Sequence, residues 1–210
     1  MSDHDHDHPH EPVAADEPPS GARARALEAL LVEKGMIDRD DIRQRIDWLV
    51  SRSPADGARL VARAWVDPAF KERLLADARR AALELGLDPG PSPVVVALEN
   101  TDIVHHVVVC TLCSCYPKAL LGPPPDWYKS LVYRSRAISD PRGVLGEFGL
   151  RLDDDIEVRV VDSTADIRYL VIPNRPEGTE ALSEEELAAL VTRDSMIGVT
   201  RPLPPVSVPS

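Results

Sequence analysis

The placement of the cysteines constrains this 210-residue chain more than any other feature of its sequence. All three cysteines lie between Cys110 and Cys115, in the segment VCTLCSC, directly after the β-branched run 107–109. An odd number of cysteines at this spacing cannot cross-link distant parts of a fold, so a secreted disulfide framework is excluded. The fold must instead carry three thiols on one short loop at the end of a buried strand.

The spacing C-x-x-C-x-C limits what these thiols can bind. Structural zinc sites and iron–sulfur clusters need about four protein ligands, and this sequence has no second group of cysteines. A redox disulfide would use Cys110 and Cys113 and leave Cys115 without a role. Cys113 and Cys115 flank Ser114, however. Their two sulfurs and the backbone nitrogens of Ser114 and Cys115 can therefore form a planar S,N,N,S set if both amides are deprotonated.

Cys110 can approach this plane as a fifth, axial ligand, which leaves a sixth position open. An open position is typical of a catalytic metal site. Thiolates and deprotonated amides are strong-field donors, and they favour low-spin Co(III) or Fe(III) over zinc. The residues alone therefore predict a catalytic trivalent metal without choosing between cobalt and iron.

Composition excludes several other classes of protein. The chain has 24 Lys+Arg and 35 Asp+Glu, and its net charge of −11 argues against nucleic acid and anionic membranes as partners. We find no apolar run of about 18 residues and no secretory leader, so we expect no transmembrane helix and a cytoplasmic location. After His10, only His105 and His106 could serve a hydrolase triad, and no G-x-S-x-G motif is present.

Composition and periodicity divide the chain into four predicted segments. Residues 1–21 form a His/Asp/Pro-rich tail that we expect to be disordered, and its clustered imidazoles could bind a transition metal weakly. Residues 22–88 form a helical arm whose apolar faces we expect to contact another subunit. The turn sequence PGPSP separates this arm from a metal-binding catalytic domain at 94–199, and an extended Pro-rich tail follows at 200–210.

Helical patterns precede strand patterns along the chain, which predicts an α+β fold. The Asp-Pro pair that opens residues 67–86 predicts one long helix there. The runs 156–161 and 167–172 predict two strands joined by the turn DSTAD, as in a hairpin. A capping box at Ser183–Glu186 predicts a helix that ends near Thr192.

Motifs on both sides of the cysteines resemble one family. VCTLCSC-YP is followed by LGPPPDWYK, YRSR, PRGVLGEFG, RYLVIPNRPEGT and SEEELAALVTRDSMIGV. This pattern is similar to the alpha subunit of nitrile hydratase and to the related gamma subunit of thiocyanate hydrolase, over roughly residues 23–199. The resemblance implies a non-corrin cobalt or non-haem iron centre and a beta-type partner that completes the active site. It also implies a layered α-β-β-α domain preceded by a helical arm.

By that resemblance the metal ligands are Cys110, Cys113, Ser114 and Cys115, and we call the segment Cys110–Cys115 the claw. Cys110 is implied to be the axial thiolate, Cys113 a sulfinate and Cys115 a sulfenate, while Ser114 and Cys115 supply amide nitrogens. Both oxidised forms belong to the ordinary oxidation series of cysteine. Thr111 is similar to the cobalt-type variant of the family. The implied cofactor is therefore one Co(III) per chain, with Fe(III) as the alternative.

The activity that the resemblance implies is that of a cobalt nitrile hydratase alpha subunit, which hydrates small nitriles to amides. Cys115, as the sulfenate, is expected to act as nucleophile or base, with Ser114 hydrogen-bonding nearby. An activator protein, or metallochaperone, is expected to load the metal. Two alternatives stay open, a thiocyanate hydrolase gamma-type subunit and a non-catalytic protein of metal binding or assembly.

Lys118 departs from the family pattern, in which Trp usually follows the Tyr-Pro pair after the claw. We expect Lys118 and Trp127 to line the substrate pocket, where a cation favours polar or anionic substrates over bulky apolar ones. Arg134 and Arg136 are the nearest cations in sequence that could balance an anionic claw, and the family pattern implies further arginines from the partner.

Overall fold

The computed structural model describes residues 19–92 and 94–205, and the chain divides into two compact units between Ile46 and Asp47. Most of the predicted N-terminal tail and the last five residues of the C-terminal tail lie outside the described residues. The first unit contains helix α1 (Pro19–Glu33) and most of helix α2 (Arg39–Val50).

A glycine follows the end of the first helix. Gly35 has a φ of 63°, and its N–H donates to the Val32 carbonyl. The Met36 N–H donates to the Leu31 carbonyl and completes this C-terminal cap. The large apolar side chains of the unit are largely exposed in the single chain, namely Leu27, Leu30, Met36 and Ile46.

Three helices open the second unit: α3 (Ala55–Val66), α4 (Pro68–Ala76) and α5 (Ala78–Glu84). The prediction of one long helix over residues 67–86 is therefore wrong. Asp77 adopts an extended conformation, with φ −154° and ψ 92°, and its side chain accepts a hydrogen bond from Arg80 N–H. The same residue ends α4 and caps α5, because an Asp at this position satisfies free N–H groups of a new helix.

Four strands lie at the centre of the second unit: β1 (Val94–Glu99), β2 (Val104–Val109), β3 (Glu157–Asp162) and β4 (Ile167–Ile172). They form two parallel pairs. In one pair β1 runs beside β4, with Val94 opposite Ile167, and in the other β2 runs beside β3, with Val104 opposite Glu157.

The predicted hairpin is wrong, because β3 and β4 belong to different sheets. The DSTAD segment forms a turn in which the Thr164 hydroxyl accepts from Asp166 and Ile167 N–H groups. The turn carries the chain from one sheet to the other instead of folding β4 back onto β3. Parallel pairing fits the apolar character of β2 and of the end of β4, both of which are buried.

Helices cover the outer face of each pair. α4 and α5 pack on β1 and α3 contacts β4, whereas α8 (Leu131–Ser139) and α9 (Pro141–Glu147) contact β2 and β3. Contacts of β2 with β1 and β4 join the two sheets. The order of layers is helix, sheet, sheet and helix, which confirms the predicted α+β architecture.

The packing of α3–α5 on the strands does not agree with the prediction that the helical arm extends to residue 88. Leu60, Val61 and Leu74 are fully buried in the core that α3 and α4 share with the strands. Residues 55–84 therefore belong with the strands, since their apolar faces have strands to cover. The described residues of the first unit form no strands, and their exposed apolar side chains keep the character predicted for the arm.

The remaining helices are short: α6 (Lys118–Leu121), α7 (Asp126–Lys129), α10 (Glu184–Leu190) and α11 (Arg193–Ile197). The predicted capping box is confirmed, because Ser183 Oγ accepts from Glu186 N–H and the Glu186 carboxylate accepts from Ser183 N–H. Within the described ranges, no helix has the length and apolarity that a membrane crossing requires.

Candidate metal centre

The three thiols lie at the carboxyl ends of β2 and β3. Cys110 directly follows Val109, which is opposite Asp162, the last residue of β3. Functional groups are commonly presented at the carboxyl edge of parallel strands, where connecting loops leave the sheet. Because β2 is buried from His105 to Val109, it holds the start of the claw in place.

The sulfurs form a compact group. The Sγ atoms of Cys110 and Cys113 are 3.4 Å apart, those of Cys113 and Cys115 are 3.2 Å apart, and all three lie within 4.8 Å of one another. All three are free thiols. Their exposure differs, because Cys110 is buried, Cys115 is half-buried and Cys113 is exposed. The claw thus has a buried base and an open rim.

The two thiols at the rim, Cys113 and Cys115, have different pKa values because they lie close together. Hydrogen bonding with Cys115, and then with Cys110, lowers the pKa of Cys113 to about 7. Burial raises the pKa of Cys115 to about 12, and its hydrogen bond with Cys113 acts in the same direction. Two adjacent thiols do not readily ionise together, since the like charges repel. A bound cation would remove this conflict, because the thiolate is the form that binds metals.

The backbone of the claw also contacts sulfur. Cys113 N–H donates to the Cys110 Sγ at 3.4 Å, and the backbone N–H groups of Ser114 and Cys115 help to lower the pKa of Cys113. Three clustered sulfurs, with the backbone nitrogens of Ser114 and Cys115 between two of them in the chain, are the donor set that the sequence predicts. This set fits a trivalent cobalt or iron ion.

Asp162 holds the first turn of the claw. Its carboxylate accepts a hydrogen bond from Thr111 N–H at 3.0 Å and another from the Thr111 hydroxyl at 2.5 Å. Ser163 N–H donates to the Val109 carbonyl at 2.7 Å and extends the β2–β3 pairing by one bond. Sequence reasoning missed Asp162. The available signal was an acidic residue at the end of a β-branched run, but its partner strand was not known.

Two further side chains bind the claw backbone. The Tyr128 hydroxyl donates to the Cys115 carbonyl at 2.9 Å, and Arg134 Nη1 donates to the Cys113 carbonyl at 3.0 Å. The Tyr133 hydroxyl donates to the Val108 carbonyl at 2.7 Å. Arg134 was a predicted neighbour of the claw. Tyr128 was expected only as a pocket or interface aromatic, and the hydrogen bonds of both tyrosines were not predicted because they depend on the path of the loop before α8.

Trp127 lies in an aromatic cluster beside these tyrosines. Its ring centroid is 4.8 Å from that of Tyr133 and 4.7 Å from that of Phe148, both in edge-to-face geometry. Lys118, at the start of α6, is exposed. The roles of Trp127 and Lys118 in a substrate pocket stay predictions.

The other predicted candidates have structural partners elsewhere. Arg136 forms ion pairs with Glu147 and Asp140. His105 Nε2 donates to the Gly198 carbonyl at 2.7 Å, and the ring is buried. Arg136 and His105 therefore contribute to packing, away from the thiols.

The chain is similar to known proteins over most of its length. A family model described as "Nitrile hydratase, alpha chain" matches residues 19–200. The low-molecular weight cobalt-containing nitrile hydratase subunit alpha of Rhodococcus rhodochrous is 53% identical over 201 residues, which cover 93% of this chain and 97% of the relative. The match therefore includes both compact units.

Two further relatives show how the family varies. Thiocyanate hydrolase subunit gamma of Thiobacillus thioparus is 42% identical over 194 residues, covering 87% of this chain and 80% of that subunit. The structure of a double mutant of an Fe-type nitrile hydratase from Comamonas testosteroni superposes with a TM-score of 0.83 at 42% identity. It covers 93% of this chain and 97% of that one. The proteins that this chain resembles are thus named as cobalt-containing or Fe-type nitrile hydratases and as a thiocyanate hydrolase.

Proposed function

The chain belongs to the nitrile hydratase alpha-chain family, and we propose that it is the alpha subunit of a cobalt nitrile hydratase that hydrates small nitriles to amides. The observation that carries this proposal is the claw itself. Three free thiols lie within 4.8 Å of one another, and the backbone nitrogens of Ser114 and Cys115 stand between Cys113 and Cys115 in the chain. Such a donor set has little use in a protein that binds no metal.

Cobalt is favoured over iron. Thr111 has the residue type of the cobalt variant, and a relative with 53% identity is named as cobalt-containing. The Fe-type structure at 42% identity makes iron the alternative. Elemental analysis of protein expressed with both metals should give about one cobalt per chain, and a preparation that takes up only iron would contradict the choice.

Burial suggests how the three cysteines divide their roles. Cys110 is enclosed, which suits an unmodified axial thiolate, whereas Cys113 and Cys115 reach the open rim, where oxygen atoms can be added. Cobalt would be held by the three cysteine sulfurs and by the backbone nitrogens of Ser114 and Cys115, and when bound it would supply Lewis acidity. Cys115, as a sulfenate, would act as nucleophile or base toward the nitrile carbon, and the Ser114 hydroxyl would hydrogen-bond beside it.

Peptide mass spectrometry tests this division. The peptide that contains residues 110–115 should carry a sulfinate on Cys113 and a sulfenate on Cys115, with Cys110 unmodified. Three unmodified thiols in an active, cobalt-loaded preparation would contradict it. An oxidised Cys110 would contradict the argument from burial.

A beta-type partner completes the proposal. Leu112 is 88% exposed, Leu131 is 74% exposed and Val132 is 64% exposed, and all three lie on the claw or at the start of α8. Large exposed apolar side chains in such numbers are typical of a protein interface. A partner that also brings arginines would balance the anionic claw, and the net charge of −11 suits such a partner.

The decisive experiment measures amide formation in the cytoplasmic complex, made by co-expression with a beta-type subunit, an activator protein and cobalt. We expect turnover of small nitriles, and no turnover by the chain alone. Full cobalt occupancy without turnover of any nitrile would favour the non-catalytic metal-binding or assembly role. A fully active monomer in sedimentation would contradict the partner.

Thiocyanate hydrolase is the second candidate, because a gamma subunit is 42% identical and Lys118 places a cation three residues after the claw. Nitrile hydratase subunits of higher identity make it the weaker one. Assays of a nitrile and of thiocyanate on one preparation separate the two activities. A higher kcat/KM for thiocyanate would reverse the preference.

A further inference from the structure

Two arginines on α8 have different partners although they are only two residues apart. Arg136, in the last turn of α8, forms ion pairs with Asp140 directly after that helix and with Glu147 in α9. Arg134 instead reaches the claw, where its Nη1 donates to the carbonyl oxygen of Cys113 at 3.0 Å. The two residues are both arginines, carry the same charge and lie on the same helix, but they bind different groups.

The identity of that carbonyl is informative. It belongs to the peptide that joins Cys113 to Ser114, and the nitrogen of this same peptide is a ligand in the proposed centre. Resonance couples the nitrogen and the oxygen of a peptide group. When the nitrogen donates as an anion, part of its charge is therefore carried by the oxygen. A guanidinium on that oxygen lies against the added charge, in a charge-assisted hydrogen bond.

Other contacts to the claw lack this combination. Tyr128 is neutral and binds the Cys115 carbonyl, whose peptide nitrogen belongs to Tyr116. Asp162 is anionic and binds Thr111. Arg168 influences the Cys115 thiol by its charge, but among the described residues it donates to the carbonyls of Thr164 and Ile167. Within the described ranges, Arg134 is the cation that hydrogen-bonds a claw peptide.

The rest of the Arg134 side chain gives a second indication. Its Nε is buried and has no hydrogen-bond partner among the described residues. An unpaired buried donor destabilises a fold, so a side chain kept only for packing gains nothing from it. We therefore expect an uncharged side chain of similar length to be tolerated by the fold at this position.

We propose that Arg134 is a positioning residue for the metal centre: it holds the Cys113–Ser114 peptide and balances the charge on it, and so determines how firmly cobalt is retained. This inference rests on the proposed function, since it assumes that the claw binds cobalt. It assigns to the chain itself part of the charge compensation that the family pattern assigns to the partner.

The test compares three variants of the cobalt-loaded complex: Arg134→Met, Arg134→Lys and Arg136→Met. Cobalt per chain is followed by elemental analysis during incubation with a strong chelator. The sulfur-to-cobalt charge-transfer absorption is recorded on the same samples, and thermal unfolding reports on the fold. The Arg136→Met variant is the matched control, because it removes an equal charge from the same helix.

We expect Arg134→Met to lose cobalt about tenfold faster than the parent and to shift the charge-transfer band, which is the scale of effect that residues supporting metal ligands show. Arg134→Lys keeps the charge and one donor, so it should recover part of the retention. Arg136→Met should match the parent in both measurements.

Several outcomes would overturn the proposal. One is an Arg134→Met variant that keeps the parent's cobalt retention and absorption band. Another is an equal loss in Arg136→Met, which would indicate an effect of overall charge. If Arg134→Met does not fold, a parent-like band and retention in Arg134→Lys would still contradict the need for a guanidinium. A parent complex that holds no cobalt would instead refute the proposed function.

Discussion

The two parallel strand pairs end in polar groups of very different kinds. At the carboxyl edge of β2–β3, the thiols of the claw contact one another and the rim is exposed. At the carboxyl edge of β1–β4, Asn100 is 6% exposed and its side-chain atoms are paired with His105 and His106. A cleft of about 670 Å³ opens beside this second edge, lined in part by Asn100, His105 and Arg201.

This cleft thus lies at the edge whose buried polar groups already have partners. His105 donates to the Gly198 carbonyl through Nε2, so in the neutral ring Nδ1 accepts from the Asn100 amide. The Asn100 Oδ1 accepts from His106 N–H at 2.8 Å. A polar group at a strand end therefore indicates a functional site when it still has hydrogen bonds or metal bonds to make. Paired buried groups stabilise the fold instead.

The largest expected effect is the loss of metal on removing Cys113, which contacts both other sulfurs. Cys113→Ala should abolish cobalt binding and nitrile hydration together, since it deletes a predicted metal ligand. The Cys113 side chain is exposed, so the free energy of unfolding of the cobalt-free complex should change by less than about 0.5 kcal/mol. Elemental analysis and thermal unfolding measure the two quantities. If Cys113→Ala retained cobalt or lost much of its stability, the β2–β3 edge would not differ from the β1–β4 edge in binding metal rather than stabilising the fold.

The opposite pattern is expected from Asn100→Ala. The substitution leaves His105 Nδ1 and His106 N–H without partners in the interior, and each unpaired group costs about 1–3 kcal/mol. We expect the free energy of unfolding to fall by about 3 kcal/mol, measured by denaturant titration, with cobalt content unchanged in the folded fraction.

Asn174 supplies the control for that experiment. It lies two residues past the end of β4, whereas Asn100 directly follows β1, and it is exposed and makes no hydrogen bond to the described residues. Asn174→Ala should leave stability within about 0.5 kcal/mol of the parent. Equal losses of unfolding free energy in Asn100→Ala and Asn174→Ala would show that the buried hydrogen bonds of Asn100 do not account for its effect on stability.

The same contrast explains which parts of the site could be predicted from the sequence. Cys110, Cys113 and Cys115 are close in the chain, so their spacing alone determines the geometry of possible chelation. Asp162 contacts Thr111 across 51 residues, and its role depends on β3 lying beside β2. The apolar pattern of β3 and β4 did not determine that order, because a short turn between two β-branched runs also suits a hairpin.

The helices illustrate the same limit. The capping box predicted α10 closely, since caps act on neighbouring residues. Asp77 was missed as a break, because an acid on an amphipathic helix is ordinary and only its extended conformation makes it a cap. The packing of α3–α5 on the strands was also missed, since an apolar face does not identify its partner.

A moderate effect on metal retention is expected from Asp162→Ala. The variant loses both hydrogen bonds to Thr111, so the first turn of the claw is held less firmly. Chelator challenge should remove cobalt about tenfold faster, as is typical of residues that orient metal ligands. Asp166→Ala is the control, because the Asp166 carboxylate makes no hydrogen bond to the described residues. Parent-like retention in Asp162→Ala would show that Thr111 needs no anchor.

A smaller, pH-dependent effect is expected at the second edge. Burial lowers the pKa of His105 below its usual value of 6.5, and the charge of Arg201 and of His106 lowers it further. The unfolded chain then binds more protons than the folded one, so stability is full above about pH 6.5 and falls as the pH decreases. The slope cannot exceed about 1.4 kcal/mol per pH unit for one group.

Denaturant titrations between about pH 5 and 7.5 measure this slope. The variant His105→Gln has no group that titrates there, so its stability should change less over the same range than that of the parent. Burial also lowers the pKa of His106, which leaves part of the slope in the variant. Identical slopes for the two proteins would show that His105 does not contribute.

The smallest expected effect concerns selectivity at the open edge. Lys118 is exposed at the start of α6, three residues past Cys115, and we predict that it disfavours bulky apolar nitriles. Lys118→Trp should raise kcat/KM for an aromatic nitrile a few-fold and lower it for thiocyanate, because a stacking surface replaces a positive charge. Lys118→Met separates the two causes, since it removes the charge without adding a ring. If kcat/KM for both substrates stays within about twofold of the parent, a difference of about 0.4 kcal/mol, Lys118 has no part in selectivity. Substrate choice would then depend on residues that the partner brings to the claw.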